Sequence, residues 1–355
     1  MSALDAGATI GILGGGQLGR MLASAAAQLG FDVSIYCPED DCPAARVAAS
    51  HYRGEYADAA ALLDWASGCD VVTYEFENVP VAAAEALIAA GNEVRPGAQP
   101  LQVSQDRLVE KAFLRDCGID TADFAEINTA SDIAEPLERY GGHGILKTRR
   151  DGYDGKGQVR LAAGDDFEAA HKALAKAPCI LEAMVPFERE VSVIVARDTV
   201  GDTLCFDLPR NEHVNGILKR SVVPSGLDDA VAKRAADAAE NLAAAMDYAG
   251  VLALEFFVLE DGGLLANEFA PRVHNSGHWT PEACATGQFE QHIRAVAGWP
   301  LGPVTRYHDV EMLNLLGEEA LVPPEVLSAD GVLTLYGKRD AKPGRKMGHL
   351  VRRRS

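Results

Sequence analysis

Between residues 9 and 100, short apolar runs alternate with stretches whose apolar positions recur at helical spacing. Residues 10–13, 33–36 and 71–74 read as buried strands, and residues 17–29, 57–66 and 81–90 as helices. This βαβ rhythm predicts a parallel sheet covered by helices. Residues 91–100, with Pro96, Gly97 and Pro100, punctuate the pattern as an exit linker. A second unit opens with a helix over 105–115 and continues with strands at 145–147 and 158–161 around a glycine-rich loop at 151–157. A helix over 169–176, strands at 180–185 and 191–196, and a long alanine-rich helix over 228–248 follow. From residue 289 onward the pattern predicts a helix and a few strands around Pro-Gly turns.

The stretch 252–278, LALEFFVLEDGGLLANEFAPRVHNSGH, carries the most chemistry. Two apolar runs flank Asp261-Gly262, a strong signal for a two-residue hairpin turn. Centred there, the turn pairs Glu260 with Gly263 and sets Glu255 opposite Glu268. Like charges facing across a ladder repel. Either a hard divalent cation such as Mg²⁺ holds them, or they lie on a solvated face beside basic side chains. The polar run that follows, with Asn267, Arg272, His274, Asn275, Ser276 and His278, has no packing rationale. Together these features suggest an Mg-nucleotide site.

Composition narrows the choice. A chain of 355 residues predicts two or three domains. A net charge of −19 opposes nucleic acid and anionic membranes as partners. No apolar run approaches a membrane span and no basic region leads into an apolar signal core, so a cytoplasmic setting is expected. Seven scattered cysteines without a CxxC pair suit reduced thiols rather than disulfides or structural zinc.

Five further segments invite chemistry. Gly14, Gly16 and Gly19, between a strand and a helix, match GxGxxG. Such a turn can bring backbone amides to a phosphate or other polar ligand, bind a nicotinamide dinucleotide, or serve only as a tight turn. The acidic ribose ligand of a dinucleotide site is not clear, since only Glu39 is near the required place. Lys147 with DGYDGKGQ (151–158) suits a mobile loop closing over phosphates, but is not a Walker A motif. Glu182, Met184 and Val185 can form an adenine wall, with Glu190 at the ribose, or merely a surface strand. Arg272 suits bidentate phosphate contact. His274 and His278 stand at i and i+4, but no HExxH frame supports zinc. Lys338, Arg345 and Lys346 cluster on a Pro-Gly turn and can clamp a phosphate or remain solvated. No Ser, Cys or His nucleophile arrangement emerges.

Taken in order, GGGQLGRM, TYEFENVP, GYDGKGQ, NEFAPRVHNSGHWT and PGRKMGHL resemble the ATP-grasp enzymes over nearly the whole chain. The match is nearest to the N5-carboxyaminoimidazole ribonucleotide synthase family, the ATP-dependent carboxylases of purine synthesis. The resemblance implies an α/β and α+β fold. It comprises a Rossmann-like domain (1–102), an ATP-grasp domain (103–290) with a glycine-rich lid over about 122–185, and a small C-terminal subdomain (291–355). It implies ATP contacts at Arg107, Lys147, Gly152, Tyr153, Asp154, Gly155, Lys156, Gly157, Gln158, Glu182, Ala183, Met184, Val185, Glu190, His213, Asn267 and Glu268. Magnesium is implied at Glu255 and Glu268. The aminoimidazole ribonucleotide is implied at Gly16, Gln17, Leu18, Glu75, Tyr153, Asp154, Arg272, Asn275, Ser276, Lys338 and Arg345. Asp154, Arg272 and Lys147 are the implied catalytic groups, with bicarbonate as co-substrate, no biotin, and a homodimer as the expected assembly. Asp151 stands where a glycine often precedes GYDG. The chain also stops soon after GHL, where many relatives continue, so a trimmed final subdomain is expected.

Overall fold

The first apolar run forms β1 (Thr9–Leu13), flanked by β2 (Asp32–Cys37) and β4 (Val71–Tyr74), with β3 (Ser50–Arg53) outside β2. All pairings are parallel. Strand β3, SHYR, has no apolar run to announce it. It can afford polar residues because it lies at the sheet edge. The helix Gln17–Gln28 buries Leu18, Leu22, Ala23 and Ala26 against this sheet. The computed structural model describes residues 3–152, 157–321 and 331–354.

A small antiparallel sheet follows, formed by β5 (Phe124–Ile127), β6 (His143–Thr148), β7 (Gln158–Ala162) and β8 (Cys179–Ala183) in the order β5-β8-β6-β7. Its helix, Phe167–Ala173, starts and stops earlier than the apolar spacing predicts. The Asp166 carboxylate caps it by accepting from Ala169 N at 2.9 Å, and left-handed Ala175 and Lys176 end it.

The largest sheet holds nine strands among the described residues: β9 (Arg189–Arg197), β10 (Thr203–Cys205), β11 (Arg210–Val214), β12 (Ile217–Val223), β13 (Gly250–Val258), β14 (Leu264–Ala270), β15 (Val310–Leu316), β16 (Val332–Leu335) and β17 (Lys346–Arg353). The path runs β14-β13-β9-β11-β12-β15-β17-β16, so strands from the chain's last part extend the sheet that carries the glutamate hairpin. The alanine-rich helix Asp229–Ala245, capped by Asp228, buries Ala235, Ala239, Leu242 and Ala243 in the cluster on this sheet. Among the described residues, no helix is long and apolar enough to cross a membrane.

The hairpin corrects the two-residue turn. Leu259 N donates to Gly263 O and Gly262 N to Leu259 O, both at 2.9 Å, so residues 260–262 form a three-residue loop with Gly262 at φ +78°. Pairing near the turn is therefore one residue off the expected count, with Phe256 facing Ala266. The register shift beyond Phe256 leaves Asn267 as the extra residue on β14, a bulge that puts Glu255 opposite Glu268. The turn length and the bulge offset one another.

His292, on the helix Gln288–Val296, ties the first sheet to the largest one. Its Nδ1 accepts from Val251 N at 3.1 Å, which leaves Nε2 to donate to Thr73 Oγ1 at 2.9 Å. The ring is fully buried and burial lowers its pKa to about 4. An unfolded histidine titrates near 6.5, so this ring's contribution is present above that value and is lost as pH falls toward 4. Replacing it with Leu strands the Val251 amide and the Thr73 hydroxyl, and should cost about 2–4 kcal/mol in urea unfolding at neutral pH. An unchanged unfolding midpoint would contradict this role.

Candidate functional site

The hairpin glutamates lie where the N-terminal domain, the small sheet and the largest sheet meet. Burial, then the facing Glu268 charge, pushes the Glu255 carboxyl up to about 7. Glu268 goes the other way: burial opposes its charge, but Arg107 at 2.8 Å holds it below the usual carboxylate range. Of the pair, Glu268 is compensated by an arginine in direct contact, while the charges of His213 and Lys346 only partly offset the burial of Glu255. Next to Glu255 stands His274 Nε2 at 3.3 Å. Burial and then Arg272 lower the His274 pKa to about 3, so the ring is neutral and offers no compensating charge. Its Nδ1 faces the Ser276 amide and hydroxyl, at 3.4 and 2.9 Å.

Arg107, Glu110 and Lys111 leave the helix Arg107–Asp116 at i, i+3 and i+4, on one face. Glu110 accepts from Phe269 N at 2.7 Å, and burial and Glu268 push it up to about 8. Lys111 donates to Asn267 O at 2.7 Å and reaches Glu182 Oε2 at 3.3 Å, where Lys147 arrives at 3.0 Å. Burial favours a neutral Glu182, but Lys111 and Lys147 hold it down at about 2. Its other oxygen, Oε1, is buried without a hydrogen-bond partner among the described residues. That atom can accept from a ligand amino group. Beyond it lie Ala183 at the end of β8, then exposed Met184 and half-buried Val185. Glu190 and His213 pair at 2.7 Å; burial alone would lower the His213 pKa, but the Glu190 hydrogen bond raises it.

Two cavities adjoin here. The smaller, about 150 Å³, is lined by Arg107, Gly152, Glu255, Glu268, Arg272 and His274, among others. The larger, about 840 Å³, has Gln17, Leu18, Glu75, Arg272, Asn275, Lys338 and Arg345 in its wall. Glu77, Asn78, Arg272, His274 and Lys346 line both. Arg272 is held there by both oxygens of Glu77, with Nη2 to Oε1 at 2.8 Å, and despite burial this pairing keeps Glu77 at about 2.

The glycine turn is filled by the protein itself. Glu75, at the end of β4, accepts from Gly16 N and, at 2.7 Å, from Gly19 N. A Cβ on Gly14 or Gly16 would collide with that carboxylate. The helix N-terminus therefore already holds an anion, which argues against the nicotinamide dinucleotide alternative. Even so, burial raises the Glu75 pKa.

The other expected residues take the following places. Ser276 is fully buried behind the wall, its hydroxyl accepting from Ser192 at 2.7 Å. Asn267 is the bulge residue. Gln158 opens β7 opposite Lys147, and Gly157 takes φ +70°. Gly152 O accepts from Arg107 at 3.1 Å. Asp151, in the place of a glycine, adopts a left-handed φ of +63°. Tyr153, Asp154, Gly155 and Lys156 lie outside the described residues. The motif reading passed over Glu77, Glu110 and Lys111. Glu77 sits inside the quoted TYEFENVP, and the spacing of Glu110 and Lys111 from Arg107 was the available signal.

The comparisons agree with this geometry. Family profiles match the ribonucleotide synthetase preATP-grasp domain over residues 7–105, the ATP-grasp domain over 112–289, and the phosphoribosylaminoimidazole carboxylase C-terminal domain over 311–352. The N5-carboxyaminoimidazole ribonucleotide synthase of Brucella melitensis is 54% identical over 354 residues, 99% of this chain and 98% of that protein. That of Bacillus subtilis is 41% identical over 97% of this chain and 91% of that protein. An ADP complex of an N5-carboxyaminoimidazole ribonucleotide synthetase superposes with a TM-score of 0.95 at 40% identity, covering 99% of this chain and 94% of that one. The Aspergillus clavatus enzyme in complex with ADP and 5-aminoimidazole ribonucleotide gives 0.90 at 33% identity, covering 98% and 94%. The chain belongs to the N5-carboxyaminoimidazole ribonucleotide synthase family of ATP-grasp enzymes.

Proposed function

We propose that this chain carboxylates 5-aminoimidazole ribonucleotide to N5-carboxyaminoimidazole ribonucleotide, using ATP and bicarbonate and releasing ADP and phosphate. The observation that carries this reading is the pair of adjoining cavities that share Arg272, one at the paired glutamates and one edged by Lys338 and Arg345. The first suits the phosphate end of ATP, and the second an anionic ribonucleotide. A homodimer in the cytoplasm completes the reading. Residues 1–102 and the C-terminal strands serve the ribonucleotide, and residues 103–290 serve ATP.

The orphaned Glu182 Oε1 suits the adenine amino group, and Glu190 with His213 suits the ribose. Lys147 and Arg107 bring positive charge toward the phosphates. Glu255 and Glu268 would hold Mg²⁺, which supplies charge neutralisation at the γ-phosphoryl group. A bicarbonate oxygen displaces ADP from that group, forming carboxyphosphate. Its C–O bond then breaks to give phosphate and CO₂ beside Arg272, which Glu77 orients. The exocyclic amine of the ribonucleotide attacks the carbon, a C–N bond forms, and the amine proton leaves. Asp154 is assigned to orient that amine or take its proton. The 151–158 loop excludes water, which would otherwise consume carboxyphosphate.

ADP release with bicarbonate should be strongly stimulated by the ribonucleotide, and no stimulation would contradict the carboxylase reading. Glu268→Gln should abolish ATP turnover while leaving the circular dichroism unchanged; near-normal turnover at moderate Mg²⁺ would overturn the metal assignment. The same substitution removes the charge facing Glu255. In the ligand-free protein the Glu255 carboxyl should then titrate below about 7, as followed by carbon NMR of labelled glutamate. An unmoved midpoint would mean that burial alone sets that value.

A further inference from the structure

Behind the glycine turn lies a cluster that the carboxylation chemistry does not use. Cys37 ends β2, Cys42 lies in the following loop, and His51 sits on the neighbouring β3. Cys37 Sγ is 3.3 Å from Cys42 Sγ and 3.4 Å from His51 Nε2, and all three ligand atoms lie within 4.8 Å of one another. The sequence pattern, which lacks a CxxC pair, hides this convergence because the third ligand comes from the polar edge strand.

Tetrahedral zinc has bonds of roughly 2.3 Å to sulfur and about 2.0 Å to nitrogen, which sets two sulfurs roughly 3.8 Å apart and a sulfur and a nitrogen about 3.5 Å apart. The Cys37–His51 separation is close to its value, and the two sulfurs need only part by about 0.5 Å. A disulfide would instead require the sulfurs to close to about 2.05 Å. Both thiols are buried, a setting that leaves cysteines inert toward oxidants, whereas half-buried His51 gives an ion a way in. The intervening loop carries Glu39, Asp40 and Asp41; Asp40 pairs with Arg53, and Asp41 with Arg46 and Arg339, so Glu39 is the loop carboxylate whose charge acts on Cys37. The Glu39 carbonyl oxygen, 3.6 Å from Cys37 Sγ, stands beside the set.

We propose that Cys37, Cys42 and His51 form a binding site for a thiophilic divalent cation, zinc fitting best. Binding forms two metal–sulfur bonds and one metal–nitrogen bond, and releases the two thiol protons to solvent. The site bears directly on the glycine turn. A Cβ on Gly15 would overlap Cys42 Sγ and lie 2.7 Å from Cys37 Sγ, and Ala44 N donates to Gly15 O at 3.0 Å. An ion here clamps the β2–β3 loop against the turn whose amides hold Glu75 in the cleft wall.

The test uses the full chain, stripped of metal and kept reduced, and titrated with Co²⁺. One equivalent should bind with a near-ultraviolet sulfur-to-cobalt charge-transfer band. Cobalt at Glu255 and Glu268 cannot produce this band, because only thiolate ligands do. The band should vanish in Cys42→Ser and shift or weaken in His51→Gln, and zinc should displace the cobalt. Absence of the band in the wild-type protein, or its persistence in Cys42→Ser, would overturn the proposal. So would loss of both thiols to a disulfide under air without bound metal. Should Cys42→Ser fail to fold, the wild-type spectrum and the His51→Gln variant decide, since His51 contributes little to the core.

Discussion

Two carboxylates held opposite each other on a rigid hairpin cannot both ionise at ordinary pH without positive charge between or around them. The hairpin is rigid because β13 is paired on both sides, to β9 and to β14, and its other face is covered by the long alanine-rich helix. Arg107 compensates Glu268, while Glu255 has the neutral His274 imidazole beside it, and the charges of His213 and Lys346 do not outweigh burial and the facing Glu268. The cleft therefore stores an electrostatic demand that a bound cation would meet. Lys111 and Lys147 do not meet it, because Glu182 engages both. Arg107, Lys111, Lys147 and Arg272 each have a paired acid, and the two carboxylates left facing one another are Glu255 and Glu268.

On the ribonucleotide side the same logic appears with the sign arranged differently. A helix N-terminus and a glycine turn would attract a phosphate, but Glu75 already occupies those amides. What remains for a ligand is the carboxylate itself, an acceptor suited to hydroxyls or an amine, while Lys338, Arg345 and Lys346 on the opposite rim suit a phosphate. Arg272 stands between the cavities, held bidentately by Glu77. A reactive carboxyl donor made in one cavity therefore has only a short path to the other.

Much of this was legible in the sequence. The parallel strands β1, β2 and β4 are short apolar runs, and the alternation of apolar residues around Asp261-Gly262 announces the hairpin. The facing of Glu255 and Glu268 came from a turn one residue too short and a bulge at Asn267 that offsets it, and neither is encoded in apolar periodicity. Strand β3 was invisible because an edge strand needs no buried residues. The resemblance implied a ribonucleotide contact at Glu75 but not its partners at Gly16 and Gly19, since an amide–carboxylate contact across 59 positions leaves no local pattern. Ser276 reads as a cleft residue in HNSGH, yet its neighbours Ser192 and His274 draw it behind the wall.

Burial and then the facing Glu268 keep the Glu255 carboxyl partly protonated near neutral pH, and a cation between the two would displace that proton. Calorimetry of Mg²⁺-nucleotide binding in buffers of different ionisation enthalpy measures the protons released. Because the raised pKa of about 7 means the free protein still carries the proton below that pH, release should be substantial there and fade well above it. It should fall in Glu255→Gln, leaving at most the share of Glu110, which burial and Glu268 push up to about 8. Binding without proton release on either side of neutrality would contradict the account.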